Sequence, residues 1–235
     1  MERWLSGQVV RSARPAKFSR VAGSRVDGVE TTGKHLFVRF DSGLALHSHL
    51  GMSGSWHLYR PGERWRMPER TASVVLEFDD AVAVCFRASV SELVRGRSGV
   101  EHLGPDVLAP DFDAALAAAR ARALGSATVG EALLDQRAAA GIGNVYRCEV
   151  LWMHQLSPFR PLADCDDAVL TALFASSREV MKHNAGGSAA RVFPHGRAAV
   201  HGRAGRPCPR CGTLVQARRL GEQARLAYWC PGCQR

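Results

Sequence analysis

No stretch of this 235-residue chain approaches the roughly 20 consecutive apolar residues that cross a bilayer, so a membrane-spanning helix is excluded. The opening Met1-Glu2-Arg3-Trp4-Leu5 has neither the apolar centre nor the cleavage signature of an export signal, which points to the cytoplasm. Internal repeats and low-complexity tracts are missing as well. Lysine is scarce: Lys17, Lys34 and Lys182 are the only three among 31 basic residues, so the abundance of arginine by itself says nothing about phosphate binding. Without an export signal, seven cysteines argue for reduced thiols and metal binding rather than a disulfide framework.

What the chain does have is enough apolar residue, 46%, to bury a core of one or two domains plus an appendage. Its net charge of +9 is unevenly spread. Residues 1–99 hold 15 Lys/Arg against 10 Asp/Glu, residues 100–185 hold 7 against 11, and residues 186–235 hold 9 against 1. A basic block confined to the last fifty residues is the electrostatic footprint of a polyanionic partner, usually nucleic acid.

Residues 7–99 read as β-rich. Residues 7–10, His35-Leu36-Phe37-Val38-Arg39-Phe40, Leu44–Leu50, Val74–Phe78 and Val82–Phe86 are short branched or aromatic runs, punctuated by Asp41-Ser42-Gly43, Gly51, Gly54 and Pro61-Gly62. That spacing suggests an antiparallel sandwich or barrel. After Gly104-Pro105-Asp106 the period changes to helical. Residues 111–124 form an alanine-rich helix, Thr128-Val129-Gly130-Glu131 has capping-box form, and residues 144–154 and 166–184 read as two more helices. Gly186-Gly187-Ser188 marks a linker to the basic C-terminal module.

Cys208-Pro209-Arg210-Cys211 and Cys230-Pro231-Gly232-Cys233 give a C-x2-C-x18-C-x2-C pattern, which supplies the closed four-thiolate set of one structural zinc in a zinc ribbon. Gly212 and Gly232 suit the tight turns of the two knuckles. Between them, residues 217–229 read as a hairpin with arginines near its tip, fixed by the metal and able to offer guanidinium groups to phosphates. Tyr228 and Trp229 are expected to pack its base. Cys85, Cys148 and Cys165 lie in apolar surroundings and read as inert core residues. His47 and His49 share a strand face, but no third metal ligand accompanies them. Gly141-Ile142-Gly143-Asn144 is a glycine-rich turn opening a helix; it could be an ordinary helix–helix turn or a phosphate site made of backbone N–H groups.

Taken together, Leu133-Leu134-Asp135-Gln136 with Gly141–Glu149, Val200–Cys208 with Tyr228–Gln234, Gly33-Lys34-His35-Leu36, and His49-Leu50-Gly51-Met52-Ser53-Gly54 resemble the formamidopyrimidine-DNA glycosylase/endonuclease VIII family. The resemblance runs from about residue 5 to the end in one order. It implies an α+β architecture: an antiparallel β-sandwich catalytic-type domain over 1–100, a helix–two-turn–helix DNA-binding domain over 101–185, and a zinc finger over 186–235. It further implies a monomeric base-excision repair enzyme of the nucleoid, a DNA glycosylase and abasic-site lyase working on double-stranded DNA with damaged or abasic sites.

By resemblance, Asn144 and Arg225 grip the phosphates flanking the damaged nucleotide, with Gly143 at the helix entrance. Lys34 reaches the lesion as the one catalytic amine in these residues. Met52 is the wedge that fills the gap left by a flipped base.

The family begins Pro-Glu, a secondary amine of pKa ~8 that attacks the sugar and a carboxylic acid that opens the ring. Met1–Val10 align instead with the end of the family's first helix and its first strand. Glu2 is therefore expected on a helix surface rather than in the acid's place, and the chain as written is expected to be weak or inactive in excision. A gene start placed downstream and a non-catalytic damaged-DNA-binding paralogue are the two explanations. Residues 86–93 lack the Arg-Phe wedge of the oxidised-purine branch, and the stretch from Asn184 to Arg203 is short for a lesion-capping loop. Both departures favour the endonuclease VIII-like branch, whose substrates are oxidised pyrimidines.

Overall fold

The computed structural model describes residues 1–51, 53–96, 100–185, 191–222 and 224–235. Met52 and residues 186–188, the expected wedge and linker, lie outside them. The chain divides into two compact units, Met1–Glu101 and His102–Arg235, so the helical region and the cysteine-bearing region share one unit.

In the first unit a short helix, α1 (Glu2–Leu5), precedes eight strands: β1 (Ser12–Arg14), β2 (Val26–Thr32), β3 (His35–Phe40), β4 (Leu44–His49), β5 (Ser55–Tyr59), β6 (Ala72–Glu77), β7 (Val82–Phe86) and β8 (Val90–Arg95). They form two antiparallel sheets of order β1-β6-β7-β5 and β2-β3-β4-β8. Side chains alternate along a strand, so Val38 and Phe40 of β3, Leu46 of β4, Val74 and Leu76 of β6 and Ala83 and Cys85 of β7 meet in one buried cluster between the sheets, closed by Leu5, Phe18 and Val21. The result is the sandwich, not the barrel. Residues 7–10 do not make the expected strand: Val10 N–H donates to Ser24 and Val26 N–H to Gln8, but only Val9 and Arg25 form a bridge, beside Gly7 at φ +82°. The pairing of Thr32 with His35 leaves Gly33-Lys34 as a two-residue turn between β2 and β3, with Gly33 at φ +59°.

The second unit holds α2 (Ala114–Ala123), α3 (Val129–Ala132), α4 (Asn144–Met153), α5 (Asp167–Asn184) and the hairpin β9 (Gln216–Leu220) and β10 (Arg225–Trp229). Asp113, not Asp111, starts α2, its carboxylate accepting from Ala115 N–H at 2.8 Å and Leu116 N–H at 3.1 Å. Thr128 Oγ1 accepts from Glu131 N–H at 3.3 Å and donates to Glu131 Oε2 at 2.8 Å, so the capping residues also tie to each other. Ala117 and Ala121 of α2, Val150 and Leu151 of α4 and Leu170, Leu173 and Phe174 of α5 share the helical core. Among the described residues no helix is long and apolar enough to cross a membrane.

Candidate nucleic-acid interface and metal centre

The turn that opens α4 is shaped by one side chain. Gln136 Oε1 accepts from Gly141 N–H at 3.0 Å, while its Nε2 donates to the carbonyls of Leu134 at 2.9 Å and Ile142 at 3.0 Å. Gly141 sits at φ +110°, a region costly for any side chain. Gly143 is the helix N-cap and makes no side-chain cap bond. The first amides of α4 therefore keep the partial positive charge of a helix N-terminus.

Asn144, the first helical residue, joins this N-terminus to the hairpin. Its Nδ2 donates to Leu226 O at 2.9 Å, and its Oδ1 accepts from Arg147 Nη2, which also donates to Leu226 O at 3.1 Å. Leu226 follows Arg225 in β10, and Arg225 is exposed. The register Arg225 with Leu220 puts this arginine at the first pair beyond the turn. Near the tip, a Cβ on Gly130 would stand 2.6 Å from Pro158 O, so glycine is needed for the close approach of α3 to that carbonyl, and Leu220 of β9 packs over the same spot with its Cδ2 2.7 Å from the Cβ position. The expected residues Gly143 and Asn144 thus lie against the start of β10, and Arg225, next in chain to Leu226, is close enough to act electrostatically on Arg147.

At the hairpin base the ligand atoms of Cys208, Cys211, Cys230 and Cys233 lie within 4.8 Å of one another, the one such cluster among the described residues. Sulfurs of Cys211 and Cys230 are 3.4 Å apart and those of Cys208 and Cys233 3.9 Å. Tetrahedral zinc with bonds of about 2.3 Å spaces its sulfurs by about 3.8 Å, so the donor set fits a zinc-finger metal. Gly212 turns the first knuckle at φ +76°, and a Cβ on Gly232 would stand 2.5 Å from Thr213 Oγ1. Trp152 Nε1 donates to Cys208 Sγ at 3.4 Å, an outer-shell contact of the kind that steadies a thiolate ligand. Tyr228 meets His201 edge-on, and Trp229 meets Phe159 edge-on with Arg218 stacked 3.7 Å over the Phe159 ring, so both aromatics pack the hairpin base as expected.

Two residues built into this arrangement show no sign in the local sequence pattern that they are buried. Arg147 and Glu149 would pass for the solvent face of an amphipathic helix, yet both are 0% exposed. Glu149 accepts from Ala199, Val200 and His201 N–H at 2.7, 3.0 and 2.8 Å and bonds to His195 Nε2 at 3.0 Å. Its carboxylate thereby fixes to α4 the segment that leads into Cys208. Only the run of small and apolar residues at Ala198–Val200, facing a charged helix position, hints at such an anchor.

In the first unit Lys34 is exposed at the tip of the β2–β3 turn. His47 and His49 do share a strand face, but His47 Nε2 is bonded to His35 Nδ1 at 2.7 Å and His47 Nδ1 to Glu92 at 3.0 Å, while His49 Nδ1 is bonded to Ser89 Oγ at 2.8 Å. Burial pushes the Cys85 thiol up to about 12 and raises those of Cys148 and Cys165, as befits unreactive core cysteines.

Comparison with known proteins matches residues 3–89 to the formamidopyrimidine-DNA glycosylase N-terminal domain and residues 103–192 to the formamidopyrimidine-DNA glycosylase H2TH domain. The chain is 38% identical to "Probable endonuclease 8 2" of Streptomyces coelicolor, over 98% of this chain and 88% of that one. It is likewise 38% identical to "DNA-(apurinic or apyrimidinic site) lyase Nei2" of Mycolicibacterium smegmatis, over 91% and 84% of the respective chains. Among solved structures it shares its fold with Lactococcus lactis formamidopyrimidine-DNA glycosylase bound to abasic-site DNA, at a TM-score of 0.80, 23% identity, and coverage of 100% and 95%.

Proposed function

Since the chain belongs to the formamidopyrimidine-DNA glycosylase/endonuclease VIII family of DNA glycosylases and abasic-site lyases, we propose that it recognises duplex DNA at oxidised pyrimidines and abasic sites, as a monomer of the nucleoid. In this reading one structural zinc on Cys208, Cys211, Cys230 and Cys233 holds the hairpin. The amides after Gly143, the Asn144 side chain and Arg225 grip the DNA backbone beside the lesion. Lys34 reaches the damaged nucleotide, and Met52 takes the place of the flipped base. The family's reaction is excision of the base by an N-terminal proline amine followed by β/δ-elimination at the abasic site; Met1-Glu2 does not supply that Pro-Glu pair, so weak excision, or damage binding without excision, is the outcome proposed for these residues. The module boundaries 1–100, 101–185 and 186–235 belong to the same proposal.

The observation that supports it is the bond from Asn144 Nδ2 to Leu226 O, which ties a helix N-terminus to the hairpin strand that begins with Arg225. Helix N-terminal amides and arginine are both donors that phosphate recognition uses. The zinc supplies rigidity and no open coordination position, so it takes no part in bond making. Fluorescence anisotropy with matched duplexes tests the reading. An abasic-site or oxidised-pyrimidine duplex should bind at least about tenfold more tightly than undamaged duplex, with affinity falling steeply with salt. Equal, salt-insensitive binding to both would refute it. Borohydride trapping on the abasic-site duplex, with the chain as given and with a Pro-Glu N-terminus, reads the lyase step separately.

A further inference from the structure

The second unit contains an ionised group with too few partners. Arg147 is 0% exposed, and of its three guanidinium nitrogens only Nη2 is engaged, with Asn144 Oδ1 and Leu226 O. Its Nε and Nη1 are buried without a hydrogen-bond partner. A buried, unpaired charge is among the most expensive things a fold can contain.

Its surroundings deepen the imbalance. Arg225 lies close enough to repel it, and the N-terminus of α4 adds positive charge at the same end of the helix. On the other side of the balance stand Glu131 and the Cys148 thiol, and burial raises the pKa of that thiol, which keeps it protonated. The neighbouring carboxylate on α4, Glu149, is already satisfied by His195 and three backbone amides. Three sources of positive charge therefore converge on half-buried Asn144, and among the described residues Glu131 is the one carboxylate acting against them.

We infer that Arg147 is a positioning residue of an anion site at the N-terminus of α4, and that its missing counter-charge is a phosphate group. The inference rests on the DNA-binding reading above and adds a member to the site. Arg147 acts through Asn144. A guanidinium can only donate and the Leu226 carbonyl can only accept, so together they fix which way the Asn144 amide points. One Nδ2 hydrogen goes to Leu226, and the other is directed away from the hairpin toward an external acceptor. The buried charge behind it strengthens that donor, because a low-dielectric setting screens it little. The same fold position without a bound anion carries the desolvation cost unrelieved.

This assignment predicts opposite signs for stability and binding, which a purely structural arginine would not give. In the metal-loaded full chain, millimolar inorganic phosphate should raise Tm of the wild type relative to chloride at equal ionic strength. Arg147→Met should abolish that rise, leave Tm in chloride unchanged or higher, and weaken binding of the abasic-site duplex at least about tenfold. Arg147→Lys, which keeps the charge but not the planar fork, should recover part of both effects. A wild type indifferent to phosphate would overturn the assignment, as would a Met variant that keeps the phosphate response or loses Tm in chloride in step with its affinity. If the phosphate response depends on Arg147 while damaged and undamaged duplexes bind alike, the anion site stands and the repair reading falls.

Discussion

The sandwich and the C-terminal hairpin are both antiparallel β-structure, yet they are held together by different forces. The sandwich closes on an apolar cluster drawn from both sheets, with Leu46, Leu76 and Val38 fully buried. The hairpin has two strands and a satellite cluster of seven buried residues, three of them cysteines. An isolated two-stranded element is marginal in water. What fixes this one is a set of point anchors: the four-cysteine cluster, the Glu149 carboxylate and the Asn144–Leu226 bond. Distributed burial tolerates change at one position better than point anchors do, and the two regions should respond to perturbation accordingly.

The largest contrast should follow loss of metal. Chelation, or Cys230→Ser, removes binding energy that in zinc-finger peptides amounts to about 10–16 kcal/mol, so the hairpin should unfold and duplex affinity fall by about two orders of magnitude. Protease protection of residues 1–96 should persist, and simultaneous loss of protection in both units would break the comparison. Next in size is Leu46→Ala in the sandwich, expected to cost about 2–5 kcal/mol in urea unfolding. Metal content and hairpin protection should be unaffected.

Glu149→Gln should cost about 2 kcal/mol, since the amide keeps a single acceptor oxygen where the carboxylate used two with charge assistance. Here the loss should appear in the second unit, as faster amide exchange at residues 199–201 and weaker DNA binding. The smallest effect is acidification. Burial lowers the pKa of His154 and His201 from 6.5. The unfolded chain takes up protons near pH 6.5 that the folded chain refuses, so stability is flat above that pH and declines below it. His154→Gln with His201→Gln should flatten this decline in a Tm–pH profile.

The same contrast explains what could be seen in the sequence. β3, β4 and β7 are branched or aromatic runs buried on the inner face, and their patterns announce them. β1, β2, β5 and β8 give little signal because β1 is three residues long and Val26-Asp27-Gly28-Val29, Ser55-Trp56-His57 and Val90-Ser91-Glu92 mix apolar with polar residues that are at most partly buried. The four ligands were legible because thiolate spacing around a knuckle is nearly invariant to context. Asn144 and Arg225 can be singled out only through family resemblance, and nothing local pairs residues 81 positions apart. Arg147 and Glu149 were illegible for a physical reason: a charged residue on a helix looks solvated until tertiary structure supplies its partners, or fails to.

The central claim is that the N-terminus of α4 and the hairpin arginine act as one phosphate grip. A double-mutant cycle on abasic-site duplex affinity, with Asn144→Ala, Arg225→Ala and the pair, tests it most directly. Each single variant should weaken binding at least about tenfold, and the double variant should lose little more than either alone, a coupling of about 1 kcal/mol or more. Fully additive losses, or no loss from one of the two, would contradict it.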